Sequence, residues 1–186
     1  MNVLLLSGGV DSLVCLYSEK FDATLFVDYG QPASLVERRR SQMFSSGLGI
    51  PWKVATISAS SRLGLLGQFD ATPQSAVVPG RNAMFVALAA LSGATRVTLG
   101  CNGDDQEAFP DCRRELLLPV ARCCGVELSL PLVHLSKREV VAKARAIGAP
   151  FDAATTCYRG TKCGQCAACI LLAAAVADGV LEADDA

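Results

Sequence analysis

Six consecutive residues near the amino terminus, Ser-Gly-Gly-Val-Asp-Ser, restrict the fold of this chain more than any other feature. The apolar run before them predicts a buried strand, and the apolar residues after them recur at helical spacing. The six residues therefore lie on a predicted turn from strand to helix. Two glycines allow a tight turn, and successive amides at a helix start form a site for phosphate. The candidate ligand-binding residues of this loop are Ser7, Gly8, Gly9, Val10, Asp11 and Ser12.

Asp11 is the unusual member of this loop, because an acid repels phosphate. We expect it either to hold Mg²⁺ or to hold the loop by accepting backbone amides. The loop lacks the Gly-Lys-Ser/Thr ending of a Walker A sequence. It resembles the SGGxDS loop of the ATP pyrophosphatases, in which ATP activates an oxygen atom and a nucleophile then displaces AMP. A glycine-rich turn without a ligand is the alternative, but six matching residues in this setting favour ATP binding.

Strand-like and helix-like segments alternate along the chain, which predicts βαβ units and a parallel sheet. We expect an α/β fold with a doubly wound, mostly parallel five-stranded sheet, similar to the adenine nucleotide alpha hydrolases. Residues 1–150 would form the ATP-binding domain, and residues 151–186 a zinc-binding segment packed on the same domain. The predicted strands are Asn2–Leu6, Thr24–Asp28, Trp52–Ile57, Arg96–Gly100 and Val126–Leu130.

Four other segments carry local signals. Ser58–Pro79 is rich in Ser, Gly and Pro, and Asn102–Asp111 is polar, so both are predicted to be loops. Ala83–Leu91 consists of small and apolar residues, which predicts a helix buried on several sides. Ser136, with Glu139 three residues later, predicts a capping box at the start of a helix.

The ligands of a doubly wound sheet bind beyond the carboxyl ends of its strands. Three predicted loops leave such ends, at residues 7–12, 28–31 and 101–113. The second of these loops supplies further candidate nucleotide contacts, namely Asp28, Tyr29 and Gly30.

The composition restricts partners and location. The net charge is −1 and the longest basic run is Arg38–Arg40, so the chain has no basic stripe for nucleic acid. No apolar run reaches the ~18 residues of a membrane span. No basic region precedes the first apolar run, as it would in a signal peptide. We therefore expect a cytoplasmic protein without a membrane or nucleic-acid partner.

Nine cysteines are many for 186 residues, and an odd number without a secretion signal does not suggest a disulfide framework. The last four are clustered, and four thiolates suit a structural, tetrahedral Zn²⁺. An iron–sulfur cluster also takes four cysteines, and thiol chemistry is a third possibility. The candidate metal ligands are Cys157, Cys163, Cys166 and Cys169. The only histidine, His134, is expected to be structural rather than catalytic.

Five sequence blocks together resemble the 7-cyano-7-deazaguanine synthases, the QueC family of ATP pyrophosphatases. The order of the blocks matches that family over residues 7–169. The first block alone indicates only the superfamily, whereas the Val-Pro-Gly-Arg-Asn and Pro-Asp-Cys-Arg blocks and the cysteine spacing are far more specific. The blocks are Ser7–Ser12, Asp28–Gln31, Val78–Asn82, Phe109–Arg113 with Asp105 before it, and Thr156–Cys169.

The resemblance implies an ATP-dependent ligase that converts 7-carboxy-7-deazaguanine and ammonia to 7-cyano-7-deazaguanine in queuosine biosynthesis. ATP would activate the carboxylate, ammonia would give the amide, and a second activation with dehydration would give the nitrile. No covalent protein nucleophile is needed, but positive donors near the developing charge are. The candidate catalytic residues are Asp11, Arg81, Lys137 and Arg113. The candidate substrate contacts are Arg81, Asn82, Asp105, Asp111 and Arg113, and the two acids would bind Mg²⁺ or the guanine-like edge.

The chain departs from the family pattern after the last cysteine, where Ile170–Leu172 replaces a polar residue followed by Leu-Arg. This departure leaves open the native acceptor and the subunit contacts, including a homodimer. Related enzymes of phage and antiphage-defence systems suggest a different reaction, in which the activated deazaguanine acid is attached to another acceptor, including a protein. The residues also leave open an RNA-thiolating enzyme with Cys101 or Cys112 as sulfur carrier, a nucleotide sensor, and a zinc-ribbon nucleic-acid binder.

Overall fold

A single parallel sheet of five strands forms the centre of the protein, in the order β3-β2-β1-β4-β5. The computed structural model describes residues 1–57 and 71–181. The parallel five-stranded α/β fold predicted from the sequence is confirmed, with strands shorter than expected at several ends. The strand order reverses direction between β1 and β4, which is the switch point where such sheets bind ligands. The strands are β1 (Asn2–Leu5), β2 (Ala23–Asp28), β3 (Trp52–Thr56), β4 (Arg96–Thr98) and β5 (Glu127–Ser129).

Seven α-helices flank the sheet in the described parts of the chain, and none of them is both long and apolar enough to span a membrane. The helices are α1 (Val10–Ser18), α2 (Ser34–Gly47), α3 (Arg81–Leu91), α4 (Gly103–Ala108), α5 (Arg114–Cys123), α6 (Lys137–Ala146) and α7 (Ala167–Leu181).

Helix α4 corrects the prediction of a polar loop over residues 102–111. Asn102 caps this helix by accepting from the backbone N–H of Asp105 at 3.0 Å, and the Asp105 carboxylate accepts from the backbone N–H of Asn102 at 3.2 Å. A short 3₁₀ turn at Pro110–Cys112 follows. Polar residues satisfy the free backbone groups of a helix start, so the composition that predicted a loop here builds a capped helix.

The capping box predicted before α6 is confirmed. Ser136 Oγ accepts from the backbone N–H of Glu139 at 3.3 Å, and Glu139 Oε2 accepts from the backbone N–H of Ser136 at 2.7 Å. This box fixes the start of α6, so that Lys137 becomes the first residue of the helix.

Apolar side chains cover both faces of the sheet. Leu4 and Leu6 pack with α1 and α6 on one face, and Val3 and Leu5 pack with α3 and α5 on the other. Helix α3 was predicted to be buried on several sides, but only three of its residues are buried and Leu91 is 85% exposed. This helix of small and apolar residues is therefore covered on one face only.

The carboxyl-terminal segment joins the same core. Cys157 and Cys166 are buried in the cluster that contains Val3 and Leu5. The backbone N–H of Thr155 donates to the carbonyl of Gly8 at 2.9 Å, which ties this segment to the loop after β1. Of the loop predicted over residues 58–79, positions 58–70 lie outside the described residues, and a 3₁₀ turn occupies Pro73–Ala76.

Candidate active site at the strand ends

A cavity of about 810 Å³ opens at the carboxyl ends of the strands. Its walls come from the loops after β1, β2 and β4, from the start of α3 and from the first turns of α7. A volume of this size suits a small-molecule site. The residues predicted from the sequence that line it are Ser7, Gly9, Asp11, Ser12, Tyr29, Arg81, Asn82, Asp105 and Lys137.

The loop after β1 is held by its own hydroxyl groups. Ser12 Oγ donates to the carbonyl of Gly9 at 3.0 Å, and Ser7 Oγ accepts from the backbone N–H of Gly9 at 3.2 Å. Gly9 precedes α1 as its N-cap residue. The positive end of α1 therefore faces the cavity next to this loop, which suits an anion.

Gly8 and Val10 belong to the loop but do not line the cavity. Gly8 has φ +83°, and a Cβ placed on it would lie 2.8 Å from the Cβ of Arg40 on α2. Val10 is fully buried in the core. These two residues pack the loop against α2 and α6. The residues on the cavity side of the loop are Ser7, Gly9, Asp11 and Ser12.

Asp11 and Lys137 form a buried ion pair at the bottom of the cavity. Lys137 Nζ lies 2.7 Å from Asp11 Oδ1 and 2.5 Å from Oδ2, and their side chains are only 6% and 20% exposed. Asn102 Nδ2 donates to Asp11 Oδ1 at 2.9 Å. Burial would lower the pKa of Lys137, but Asp11 and Asp105 raise it above its usual value. Lys137 therefore stays charged beside the loop.

Two residues of this region were not singled out from the sequence. Asn102 follows β4 and orients Asp11, and a polar residue directly after a strand is a signal that could have found it. Gly100 lies so close to α1 that a Cβ would be 2.8 Å from the backbone of Asp11 and Ser12. This close approach comes from tertiary packing, which no local pattern reveals.

Asp105 is a second acid in the cavity. Burial, together with the charge of Asp11, raises its pKa to about 6 against the opposing effect of Lys137. Its carboxylate also caps α4 through the backbone N–H of Asn102. Asp105 thus lies at the end of the cavity nearest the loop after β1.

Arg81 lies at the start of α3 and faces Tyr29 and Asp111. Burial disfavours its charge, but Tyr29 and Asp111 raise its pKa above the usual value. Arg81 Nε is buried and has no hydrogen-bond partner within the described residues. The Arg81 side chain lines the cavity, so its guanidinium is a candidate contact for an anionic ligand.

Asp28 and Gly30 lie beside Tyr29 but do not line the cavity. The backbone N–H of Gly30 donates to Asp28 Oδ1 at 3.2 Å. This contact shapes the turn after β2, so Tyr29 is the residue of the three that reaches the cavity.

Asp111 and Arg113 are also absent from the cavity wall. Asp111 Oδ2 accepts from the backbone N–H of Asn82 at 2.9 Å and so caps α3. Arg113 Nε donates to the carbonyl of Gln106 on α4 at 2.9 Å. The two residues tie α3 and α4 together, and the structure does not place them where a substrate contact was predicted.

The side-chain amide of Asn82 contacts the thiols of Cys101 and Cys112. Its Nδ2 lies 3.2 Å from Cys112 Sγ and 3.9 Å from Cys101 Sγ, and all three residues are buried. The hydrogen bond with Cys112 and burial raise the pKa of the Cys101 thiol well above its usual range. His134 is exposed and does not line the cavity, so it takes neither a buried structural role nor a place in the site.

The four clustered cysteines form a candidate metal centre next to the cavity. The sulfur atoms of Cys157, Cys163, Cys166 and Cys169 all lie within 4.8 Å of one another. Sulfurs around one tetrahedral zinc lie about 3.8 Å apart, given a Zn–S bond of about 2.3 Å. In a four-iron cluster each cysteine binds a different iron, which spreads the sulfurs farther. The donor set therefore fits one thiophilic ion.

Comparisons with known proteins show which family this sequence resembles. The sequence model of a family described as "Queuosine biosynthesis protein QueC" matches residues 1–178. A 7-cyano-7-deazaguanine synthase from Leptospira interrogans is 32% identical over 202 residues, covering 91% of this chain and 83% of its own. The enzyme of that name from Laribacter hongkongensis is 33% identical over 206 residues, covering 95% of this chain and 90% of its own. The one from Anaeromyxobacter sp. is 34% identical over 206 residues, covering 91% and 88%.

One solved structure, described as a predicted subunit of a tRNA methyltransferase from Methanocaldococcus jannaschii, is similar in fold. Its TM-score is 0.54 at 16% sequence identity, over 78% of this chain and 76% of that chain. At this identity the likeness concerns the fold alone.

Proposed function

This chain belongs to the QueC family of queuosine biosynthesis proteins, which are C–N bond-forming ligases, and we propose that it converts 7-carboxy-7-deazaguanine and ammonia to 7-cyano-7-deazaguanine with ATP. A carboxylate is a poor electrophile at neutral pH, so ammonia cannot attack it directly. Transfer of an adenylyl group to the acid supplies a leaving group, and ammonia displaces it to give the amide. A second adenylylation, now of the amide oxygen, allows that oxygen to leave as part of AMP, and loss of the two amide N–H protons gives the nitrile.

One observation carries this proposal. The cavity that contains the loop after β1 also contains two cations, Lys137 and Arg81, which approach it from different elements. An activation step of this kind needs a phosphate site and a carboxylate site within reach of each other. It also needs positive donors where negative charge develops.

The described residues suggest a division of labour. The amide of Gly9 and the hydroxyls of Ser7 and Ser12 would bind phosphate oxygens of ATP. Lys137, held in place by Asp11, would stabilise the charge on the phosphates as the bond to the leaving pyrophosphate breaks. Arg81, a charged residue of the cavity wall, would orient the carboxylate that is activated.

Metal ions complete the proposed site. We assign Zn²⁺ to the four clustered cysteines, where a closed set of four thiolates would hold the local fold rather than take part in the reaction. Mg²⁺ would arrive with ATP, and Asp11, Asp104 and Asp105 are acids that line the cavity near the loop after β1.

Competing functions have weaker support. A thiolating enzyme needs an accessible thiolate, but Cys101 and Cys112 are only 6% and 3% exposed, and burial disfavours the thiolate of Cys101. A zinc-ribbon nucleic-acid binder needs a basic surface, and the net charge is −1. Attachment of the activated base to another acceptor would use the same cavity, so the reaction products must decide between that reaction and nitrile formation.

The test is mass spectrometry of the products formed from ATP, ammonia and 7-carboxy-7-deazaguanine. We expect the amide mass to appear first and the nitrile mass to replace it. Arg81→Ala should abolish both products, while Arg39→Ala, at an exposed position of α2, should form them at the wild-type rate. Consumption of ATP without amide or nitrile, together with transfer of the base to a protein or nucleic acid, would contradict the proposed acceptor.

A further inference from the structure

Glu37 of α2 is a carboxylate in the cavity wall to which the sequence patterns assigned no role. Gln31 Nε2 donates to Glu37 Oε2 at 2.8 Å and to the carbonyl of Val27 at 3.2 Å. Gln31 Oε1 accepts from the backbone N–H of Tyr29 at 3.0 Å. Gln31 therefore uses its polar atoms to fix itself to the end of β2 and to orient the Glu37 carboxylate.

The second oxygen of this carboxylate is free for a ligand. Within the parts of the chain that the structure describes, no protein donor reaches Glu37 Oε1. Burial raises the pKa of Glu37 above its usual value, against the smaller opposing effects of Gln31 and Arg81. Glu37 is half-buried in the cavity wall, so its unused oxygen is open to a ligand that supplies N–H donors.

An aromatic wall lies beside Glu37. The rings of Tyr29 and Phe85 have their centroids 5.6 Å apart, and both residues line the cavity. Aromatic surfaces of this kind pack against planar bases. Arg81 lies next to Tyr29 and lines the cavity, so a planar base packed here would have a cation near its acid group.

The other acids of the region lie on α4 or cap a helix. Asp104 and Glu107 line the cavity from α4, and Asp104 accepts from the backbone N–H of Lys137 at 2.8 Å. The Asp111 carboxylate caps α3 and lies off the cavity wall. Asp105 caps α4 and faces Asp11 and Lys137, at the end of the cavity where the phosphates of ATP would bind. Among the acids of the cavity wall, Glu37 is therefore the one that comes from neither the phosphate loop nor α4, and it lies beside Tyr29.

We propose that Glu37, oriented by Gln31, reads the guanine-like edge of the deazapurine acid by accepting from its ring N–H and its 2-amino group. This inference rests on the proposed function, because it takes the deazapurine acid as the substrate. Two adjacent N–H donors match the two oxygens of one carboxylate. A site built around such hydrogen bonds rejects analogues that lack the donors, since its polar group is then left unpaired.

The test measures binding of 7-carboxy-7-deazaguanine and of its analogue without the 2-amino group, by equilibrium dialysis in the absence of ATP. We expect the wild-type protein to prefer the amino-bearing ligand by about 100-fold or more. Glu37→Gln should reduce that preference to below about 10-fold, because its side-chain amide offers one acceptor instead of two. The matched control, Glu115→Gln, changes an exposed acid of α5 and should keep the wild-type preference.

Two further measurements separate recognition from folding and from ATP binding. Glu37→Gln is nearly isosteric, so its melting temperature should stay close to that of the wild type. Glu37→Asp retains both oxygens and should keep the preference for the amino group with weaker affinity. Glu37→Gln that keeps the wild-type preference, or that raises KM for ATP and leaves deazapurine binding unchanged, would overturn the inference.

Failure of this inference is distinguishable from failure of the proposed function. If the wild-type protein discriminates the two ligands and Glu37→Gln does not, but no nitrile forms, the proposed function fails and the role of Glu37 stands. If it forms the nitrile while Glu37→Gln discriminates normally, only the role of Glu37 fails. Binding of neither ligand would overturn both.

Discussion

The two glycines of the loop after β1 have different surroundings. The same substitution at each of them can therefore separate an effect on stability from an effect on activity. Gly8 has φ +83°, where an L-residue costs about 1–2 kcal/mol, and its Cβ would lie 2.8 Å from Arg40 Cβ. Gly9 has an ordinary φ of −78°. The nearest neighbour of a Cβ on Gly9 would be Ser7 Oγ, at 3.3 Å.

We expect Gly8→Ala to lower the free energy of unfolding by at least about 1–2 kcal/mol. Gly9→Ala should keep the stability of the wild type but lower kcat/KM for ATP by about 10- to 100-fold, because a methyl group would stand where phosphate must approach. Urea unfolding and ATP consumption measure the two effects separately. Normal ATP consumption by a folded Gly9→Ala variant would contradict the phosphate-binding role of the loop.

The raised pKa of Asp105, about 6 against a usual 3.8, predicts a dependence of stability on pH. Ionisation of this carboxylate costs more in the folded than in the unfolded protein. The cost is therefore absent below the unfolded pKa, grows between the two values and is complete above the folded pKa.

Asp105→Asn should accordingly stabilise the protein by up to about 3 kcal/mol near pH 8, and by progressively less as the pH falls toward about 4. Urea unfolding without nucleotide or metal at a series of pH values tests this prediction. Asp152→Asn, at an exposed position, is the control and should show no such trend. A gain in stability that does not change with pH would mean that the charge of Asp105 is not its source.

At the scale of elements, the first turns of α1 and α6 are joined by Asp11 and Lys137. The Lys137 side chain is only 6% exposed, so removal of its partner leaves a buried charge without compensation. Such a loss costs on the order of 3 kcal/mol.

We therefore expect Asp11→Asn both to destabilise the protein, by on the order of 3 kcal/mol, and to abolish ATP consumption. The double variant Asp11→Asn/Lys137→Met should regain much of the stability, because neither charge then remains buried, but not the activity. Chemical unfolding and ATP consumption of the two variants test this. If Asp11→Asn consumes ATP at the wild-type rate, the ion pair serves the fold alone.

The elements that could be predicted from the sequence are those with local signals. Apolar runs located all five strands, and the spacing of Ser136 and Glu139 located the start of α6. Helix α4 has no apolar periodicity, and part of its support is distant, since Gln106 Nε2 donates to the carbonyl of Val133 at 2.6 Å. Its presence could not be read from its own residues.

The residues of the candidate site were likewise predictable only where a local motif marks them. The loop after β1 carries a local motif, so its cavity-lining residues were found. Asp111 caps a helix by accepting from Asn82, 29 residues earlier in the chain, and Glu37 depends on Gln31 for its orientation. Which acid reaches the cavity is decided by these tertiary contacts, and a list of candidate acids could not decide it.

At the scale of the whole molecule, the carboxyl-terminal segment supplies one wall of the cavity. Tyr158, Ala168 and Leu171 of the carboxyl-terminal segment line it, and they lie between or directly after the clustered cysteines. The backbone N–H of Thr155 also donates to Gly8 of the loop after β1. A metal that holds the four cysteines would therefore also hold a wall of the active site.

The last prediction concerns this dependence. Cys166→Ser should lose the zinc that we assign to the cluster, lower the melting temperature and increase aggregation, because Cys166 is fully buried in the core and a closed thiolate site contributes directly to folding. The remaining soluble protein should also lose ATP consumption, since the wall at Tyr158 and the contact at Thr155 would shift. Cys123→Ser, an exposed cysteine outside the cluster, is the matched control and should keep zinc, stability and activity. Elemental analysis of the wild-type protein should find one zinc per chain, and iron with labile sulfide would contradict the zinc assignment. A zinc-free Cys166→Ser protein that consumes ATP normally would show that the metal supports solubility but not the cavity wall.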